Sequence, residues 1–142
     1  MHALSAVREN VGMDELAQWL GEQLDEDERT TRATDQTLGQ RNLRWSAKPV
    51  DEAFFRVVAA KHYVVGTGEF SPEDAHHIAE WDPARVLREI DGKRWFVEML
   101  ANSLKPNPTT GIPRGVAWSM LTRMAEVYRD RPGWKAYWPG SG

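Results

Sequence analysis

The sequence predicts an α+β domain, a small bundle of three to four helices with a short antiparallel β-hairpin inserted into it. Three observations support this class. Apolar residues recur at three- and four-residue spacing in several segments, as on one face of a helix. Residues 54–65, FFRVVAAKHYVV, are rich in the β-branched and aromatic residues that favour strands. Two helix starts marked by proline follow, at Ser71 and Asp82.

The length and composition indicate a single domain. The chain has 142 residues, of which 41% are hydrophobic and 27% are charged, as in globular proteins. We expect residues 13–138 to form the domain, residues 1–12 to be a leader prone to disorder, and residues 139–142 to be a tail compatible with a cloning addition. The absence of cysteine excludes disulfides, thiolate catalysis and cysteine-based zinc sites.

No segment favours a membrane or secretion. No run approaches the roughly 18 apolar residues of a membrane helix. The N-terminal residues, MHALSAVREN, lack the apolar stretch of a secretory signal. We therefore expect a cytoplasmic protein that does not bind membranes. The formal charge is −3, and Lys and Arg are spread along the chain, which disfavours nucleic acid as the partner.

The first helix is expected to begin at Asp14, which can cap it. Its apolar positions recur at helical spacing, at Leu16, Trp19, Leu20 and Leu24. Polar residues dominate from position 34 to position 49, which predicts a loop.

The hairpin follows this loop. We expect its strands near residues 53–59 and 62–66, with a turn at Ala60-Lys61. The sequence Gly66-Thr67-Gly68 is expected to end the second strand. A two-stranded hairpin is marginally stable in water, so it should pack against the helices.

Two helices are expected to begin with the same sequence feature, a capping residue followed by proline. Ser71 precedes Pro72 and Asp82 precedes Pro83, and proline suits the first helical turn. The second of these helices should run to about Leu104, with an apolar seam that packs on the first helix of the chain. The seam consists of Leu87, Ile90, Val97, Ala101 and Leu104, with Arg94 in the same register.

The last helix is predicted over residues 116–128, after the loop KPNPTTGIPRG, and Arg131-Pro132-Gly133 should follow its end. We expect the core to be formed by Leu16, Leu20, Leu87, Ile90, Val97, Leu121 and Met124. The apolar seam described above suits a dimer interface as well as an internal core, so a monomer and a homodimer both stay open.

The segment HHIAEWDPARVLREIDGKRW, residues 76–95, resembles a family of small actinobacterial and actinophage proteins known as a domain of unknown function. The family carries the phrase H-I-A-x-x-D-P-A-R-V-L-R-E-I. It opens with a helix like MDELAQWLGEQLDEDERTTR, and it closes with a pattern like Tyr128, Asp130, Pro132 and Trp138. The resemblance thus covers residues 13–138 in three blocks.

Two departures from the family pattern affect what the resemblance implies. Trp81 stands where the family often has a second histidine, and residues 34–68 follow no family pattern. The resemblance implies an actinobacterial or phage source and a cytoplasmic setting. It implies no catalytic residues, since none is established for the family.

His76 and His77 form a close histidine pair. Adjacent helix positions point about 100° apart, so the pair is a poor joint ligand for a metal, and we predict no metal site and no cofactor. His77 lies four residues before Trp81, which favours an aromatic contact. A metal or acid–base role for His77 is the alternative. We interpret Asp82 as a helix cap, with a catalytic carboxylate as the alternative.

The C-terminal aromatic segment, residues 128–138, combines rings with positive charge. Trp134, Tyr137 and Trp138 lie beside Arg131 and Lys135. In one interpretation the segment folds back and covers the helices. In the other these five residues form an exposed partner-binding surface, since Trp, Tyr and Arg are enriched in interface hot spots.

Three classes of function stay open. The leading hypothesis is a non-enzymatic protein-interaction module, encoded by a phage or prophage, that binds a host or viral protein; no catalytic motif is found. The alternative is a small enzyme, metal-dependent or using His77 with Asp74, Glu80 or Asp82. A weaker alternative is a module that binds single-stranded nucleic acid by stacking bases on the aromatic segment.

Overall fold

The computed structural model describes residues 2–38, 44–59 and 63–138. These residues form four α-helices and three β-strands, so the predicted α+β class is confirmed. In chain order the elements are α1 (His2–Leu38), β1 (Trp45–Pro49), β2 (Phe55–Ala59), β3 (Tyr63–Phe70), α2 (Pro72–Glu80), α3 (Pro83–Ser103) and α4 (Arg114–Glu126). None of these helices is long and apolar enough to cross a membrane.

The chain divides into two compact units. The central unit consists of residues 27–91, and the discontinuous unit consists of residues 1–26 and 92–142. The helices α1 and α3 each contribute one segment to each unit.

The central unit is built on an antiparallel sheet of order β1-β2-β3, with α2 packed against it. Trp45 at the start of β1 lies opposite Ala59 of β2. Val57 is buried with Ala75 and Ala79 of α2, and half-buried residues surround them: Trp45, Ala47, Phe55, Val65, Phe70 and Ile78. Because side chains alternate along a strand, one face of the sheet supplies this cluster.

The predicted hairpin is present as β2 and β3, but it belongs to a larger sheet. The turn predicted at Ala60-Lys61 lies outside the described residues. β3 continues to Phe70, past the glycines that were expected to end it. Gly66 has a φ of 80°, and the register shifts between Phe55 and Val57. Glycine tolerates this backbone conformation, so it permits an irregular strand rather than ending one.

α1 is longer than predicted at both ends. It begins at His2, so Asp14 lies inside the helix and does not cap it, and it continues to Leu38. Its polar second half contains an ion pair between Arg32 and Glu28, which lie one helical turn apart with their charged groups at 3.5 Å. Such pairs stabilise a polar helix that has few apolar residues to bury. The last turn of α1 lies within residues 34–49, for which polarity predicted a loop, so that prediction is wrong at residues 34–38.

β1 lies inside residues 34–49, so the prediction of a loop was wrong here too. Its sequence, WSAKP, places Trp45 and Ala47 in the buried cluster, with polar side chains between and after them. The backbone N–H of Trp45 donates to Asp82 Oδ2 at 3.0 Å. A contact with a residue so far along the chain is not visible in the local sequence.

Both predicted helix starts after a capping residue are confirmed. Ser71 Oγ accepts a hydrogen bond from the backbone N–H of Asp74 at 3.3 Å. Asp82 Oδ1 accepts one from the backbone N–H of Arg85 at 2.9 Å. Each helix begins at the proline that follows its cap. The caps satisfy N–H groups that a first helical turn leaves without partners.

The discontinuous unit combines segments of α1 and α3 with α4 and residues 127–138. Its buried apolar residues are Leu16, Trp19, Leu20, Leu24, Val97, Leu100, Leu104, Ala117, Leu121, Ala125, Tyr128 and Trp138. The predicted core is confirmed at Leu16, Leu20, Val97 and Leu121, and in the central unit at Ile90. Leu87 and Met124 are only half-buried.

Candidate functional site

The residues of the aromatic segment differ in exposure. Trp138 has 2% of its surface exposed, Trp134 is half-buried, and Tyr137 is 64% exposed. The rings of Trp134 and Trp138 both contact Trp19 of α1, with centroids 5.7 and 5.4 Å from it. The segment therefore folds back onto α1 at its two tryptophans and presents Tyr137 to solvent.

A tight backbone approach accompanies this docking. Trp19 Nε1 donates a hydrogen bond to the carbonyl oxygen of Pro132 at 3.0 Å. The next residue, Gly133, has a φ of 93°, and a Cβ placed there would lie 2.5 Å from Trp19 Nε1. Glycine alone tolerates both the left-handed backbone and the close contact. Gly133 is thus what lets the segment reach Trp19.

The two cationic residues of the predicted partner-binding set have different surroundings. The Arg131 guanidinium lies over the Tyr128 ring, 4.6 Å from its centroid, and donates to the carbonyl oxygen of Gln23 at 3.4 Å. Arg131 therefore helps to hold the segment against α1. Lys135 is exposed. Partner binding by these residues stays a prediction.

Tyr137 is tied to α1 through its hydroxyl group, which donates to Glu15 Oε2 at 2.7 Å. This hydrogen bond raises the pKa of Tyr137, and lost solvation and the charge of Glu15 act in the same direction. The phenol thus keeps its proton beyond the pH at which a free tyrosine would lose it. The hydrogen bond from the protonated phenol to Glu15 therefore persists over the neutral pH range and fixes the position of the exposed ring.

Two adjoining concavities lie along α1 in the discontinuous unit. The larger, of about 500 Å³, is formed with α3 and is lined by residues that include Ala17, Gly21, Asp25, Arg94, Glu98 and Ala101. The smaller, of about 310 Å³, is formed with the aromatic segment and is lined by Glu15, Trp19, Gly133, Lys135 and Trp138. Gln18 and Glu22 line both. We call the continuous surface the α1 trough.

The α1 trough carries more carboxylates than cations, with Glu15, Glu22, Asp25 and Glu98 against Arg94 and Lys135. Arg94 pairs with Asp25 at 2.8 Å, so these two charges compensate each other. Neither Glu22 nor Glu98 forms an ion pair within the described part of the chain. The trough therefore presents negative charge to anything that enters it.

Small residues line the larger concavity. Ala17 and Gly21 lie four residues apart on one face of α1, and Ala101 lines the same space from α3. A Cβ added to Gly21 would meet nothing within 4 Å. The space above Gly21 is thus open, and no internal contact requires a glycine at this position.

α3 exposes two aromatic rings outside its buried stripe. Trp95 is 59% exposed and Phe96 is 43% exposed, and their centroids lie 5.0 Å apart. Trp95 precedes Glu98 by three residues, which makes them neighbours on the helix surface. Trp95 therefore flanks the α1 trough. This pair was not predicted from the sequence, although both residues lie outside the predicted apolar seam, which is the signal that could have identified them.

The enzyme alternative depends on residues of the central unit. His77 is exposed, and its ring centroid lies 6.5 Å from that of Trp81, which is the aromatic contact its spacing predicted. The guanidinium of Arg85 lies over the Trp81 ring, 4.0 Å from its centroid. Arg85 also pairs with Glu80 and Glu89, each at 3.2 Å. The surroundings of Trp81 are thus a stacked, salt-bridged helix surface.

Asp82 has a structural role. Its two oxygens accept backbone hydrogen bonds, Oδ1 from Arg85 and Oδ2 from Trp45. The prediction that it caps a helix is confirmed. Among the residues that the structure describes, no group of three or more His, Asp or Glu side chains could hold a metal ion.

A family match covers most of the chain, whereas no curated protein and no solved structure matches it. Residues 13–139 match DUF6221, a family of unknown function. The matched range contains the α1 trough, Trp95 and the whole aromatic segment. It begins at Met13, where the resemblance noted in the sequence also begins. The chain therefore belongs to the DUF6221 family of unknown function.

Proposed function

We propose that the protein is a non-enzymatic interaction module that binds another protein through the discontinuous unit. The observation that carries this proposal is the exposed pair of Trp95 and Phe96, whose rings contact each other on α3. Contiguous exposed apolar groups mark sites of interaction. Tryptophan is also enriched among the residues that dominate binding energy at interfaces.

Packing inside the unit gives no reason for this pair. α3 already buries Val97, Leu100 and Leu104. An exposed indole forgoes the stabilisation of burial, about 25 cal/mol for each Å² of apolar surface. A partner that covers Trp95 would recover that free energy on binding.

The aromatic segment extends the proposed binding surface. Tyr137 and Lys135 are exposed, and Lys135 lines the α1 trough. Trp138 is buried, so its part is to hold the segment on α1 rather than to contact a partner.

The partner we propose is a host or viral protein in the cytoplasm of an actinobacterium. The support is the resemblance of residues 76–95 to small actinobacterial and actinophage proteins. A protein encoded by a phage or prophage would meet host proteins in that compartment.

Photo-crosslinking from α3 tests the proposal. The full chain is expressed in an actinobacterial host with a crosslinking amino acid at position 95. The control carries it at position 52, because Glu52 is exposed and belongs to the central unit, outside the proposed binding surface. We expect a protein that is crosslinked from position 95 and not from position 52.

The captured protein is then purified for a binding measurement. It should bind Trp95→Ser at least about tenfold more weakly than the wild-type chain, as expected for a hot-spot residue. Equal affinity of both chains for every captured protein would overturn the proposal. So would a catalytic turnover that disappears in His77→Ala, because the protein would then be an enzyme.

A further inference from the structure

The shape and charge of the α1 trough indicate which class of partner it binds. We propose that it binds a basic amphipathic helix of another protein. This inference rests on the proposed interaction function and adds the class of partner.

The shape of the larger concavity suits a helix. Its lining on α1 runs from Ala17 to Asp25, about 12 Å or two turns along the helix axis. Because Gly21 and Ala101 lack large side chains, a third element can approach closely there. Laying the apolar face of a helix into such a groove is a recurrent mode of peptide recognition.

Gly21 keeps this groove open. A Cβ at this position would meet nothing within 4 Å, so packing inside the unit does not need the glycine. Glycine in a helix interior weakens the helix relative to alanine. Close approach of a partner gives a physical reason for a residue that its own helix disfavours.

The negative charge of the trough favours a partner with positive charge. Glu22 and Glu98 lie on opposite helices of the groove, and neither forms an ion pair within the described part of the chain. Lysine or arginine on the flanks of a bound helix would face them, which favours a basic partner and repels an acidic one. In a symmetric dimer the same acidic patch would meet itself, so the charges disfavour a second copy as the occupant.

Trp95 extends the surface beyond the groove. It neighbours Glu98 on α3 and is 59% exposed. A helix in the trough that continues past Glu98 would cover this indole. The proposed binding site therefore includes an aromatic anchor next to an acidic rim, and aromatic anchors dominate interface energetics.

The test uses designed peptides as probes. A peptide of about 20 residues, longer than the roughly 12–15 below which isolated helices are marginal in water, carries one leucine face and lysine flanks. A matched peptide carries glutamate in place of lysine. Their binding to the full chain is measured by fluorescence anisotropy at two salt concentrations.

Paired variants locate the site. Gly21→Leu fills the groove, whereas Gly115→Leu puts the same side chain in open space on α4. Glu22→Lys reverses a charge in the groove, whereas Glu52→Lys makes the same change at an exposed residue of the central unit. Circular dichroism confirms that each variant is folded. If Gly21→Leu does not fold, the comparison of Glu22→Lys with Glu52→Lys decides whether the groove is the binding site.

We expect the basic peptide to bind and the acidic peptide to bind at least about tenfold more weakly, a difference of one decade in Kd. Gly21→Leu and Glu22→Lys should each bind the basic peptide at least about tenfold more weakly than their control variants do. Equal binding of the basic peptide to Gly21→Leu and Gly115→Leu, or to Glu22→Lys and Glu52→Lys, would overturn the proposal that it binds in the groove. Equal binding of both peptides would overturn the partner class.

Self-association gives a separate outcome. A dimer seen in sedimentation of the wild-type chain and lost in Gly21→Leu would make a second copy the occupant, and would overturn the inference. If the peptides fail while position 95 still crosslinks a protein, the interaction function stands and the inferred partner class falls.

Discussion

The carboxylate of Asp82 accepts a hydrogen bond from the backbone N–H of Trp45 at 3.0 Å, so one side chain joins the start of α3 to an edge strand. The other carboxylate oxygen accepts from the backbone N–H of Arg85. A cap therefore also fixes the position of β1 in the central unit. Edge strands leave backbone groups unpaired, and Asp82 satisfies one of them.

Asp82→Ala should destabilise the protein more than Ser71→Ala. The Asp82 change removes a cap, worth about 0.5–2 kcal/mol, and also a hydrogen bond to Trp45, worth about 0.5–1.5 kcal/mol. Ser71→Ala removes a cap alone. The free energy of unfolding in urea measures both losses. Equal losses would show that the bond to Trp45 contributes nothing.

Gly133→Ala should cost more stability than Gly111→Ala. Both glycines have positive φ, 93° and 73°, so each alanine brings strain of about 1–2 kcal/mol. At Gly133 the added Cβ also meets Trp19, whereas at Gly111 it meets nothing within 4 Å. Overpacking adds about 1–3 kcal/mol. Thermal unfolding checks this order, and a reversed order would exclude the close approach to Trp19.

Tyr137 should titrate above 10.0, the ordinary pKa of tyrosine, because its hydrogen bond to Glu15 favours the protonated phenol. The absorbance difference between wild type and Tyr137→Phe isolates this group among the three tyrosines. Glu15→Gln should lower the midpoint. A midpoint that Glu15→Gln leaves in place would contradict the assigned cause.

The same shift sets the sign of the pH dependence of stability. The folded state holds the proton of Tyr137 more tightly than the unfolded state, so stability falls as the pH rises. The contribution of this bond is complete below the ordinary pKa and is lost as the pH passes the raised pKa. The slope of stability against pH in that alkaline window should be less negative in Tyr137→Phe.

Trp19→Phe and Trp138→Phe should differ in how much they destabilise the protein, although both replace a buried indole. Trp19 Nε1 donates to Pro132, whereas Trp138 Nε1 is buried without a hydrogen-bond partner among the described residues. Both changes remove similar apolar surface. The Trp19 change also removes a hydrogen bond worth about 0.5–1.5 kcal/mol, while the Trp138 change removes an unsatisfied donor. Urea unfolding should show the larger loss for Trp19→Phe, and the opposite order would refute this assignment of partners.

The parts of the fold that were predictable from the sequence have local causes. Ser71 and Asp82 cap helices through atoms within three residues of themselves, so a short sequence window contains the signal. The buried positions Leu16, Leu20 and Leu121 follow from helical spacing. Local rules failed at Gly66, which allows an irregular strand to continue, because the sequence does not show which conformation glycine will adopt.

The candidate site was less predictable, because its parts meet through long-range packing. The aromatic segment was singled out as a candidate, yet Trp138 is buried against Trp19, a residue far away in sequence. The α1 trough depends on Gly21 of one helix and Ala101 of another. The exposure of Trp95 has a local signal, since this residue lies outside the apolar seam of its helix.

The two units differ in how their sequence is arranged, and this affects the order in which the chain can assemble during synthesis. Residues 27–91 are continuous, so the whole of the central unit is synthesised before the second half of the discontinuous unit. Chains are synthesised from the N-terminus at about 5–20 residues per second. Until residues 132–138 emerge, Trp19 has neither its hydrogen-bond acceptor nor its neighbouring indoles. The indole of Trp19 therefore lacks these neighbours for several seconds after its synthesis, an interval in which a chaperone has access to it.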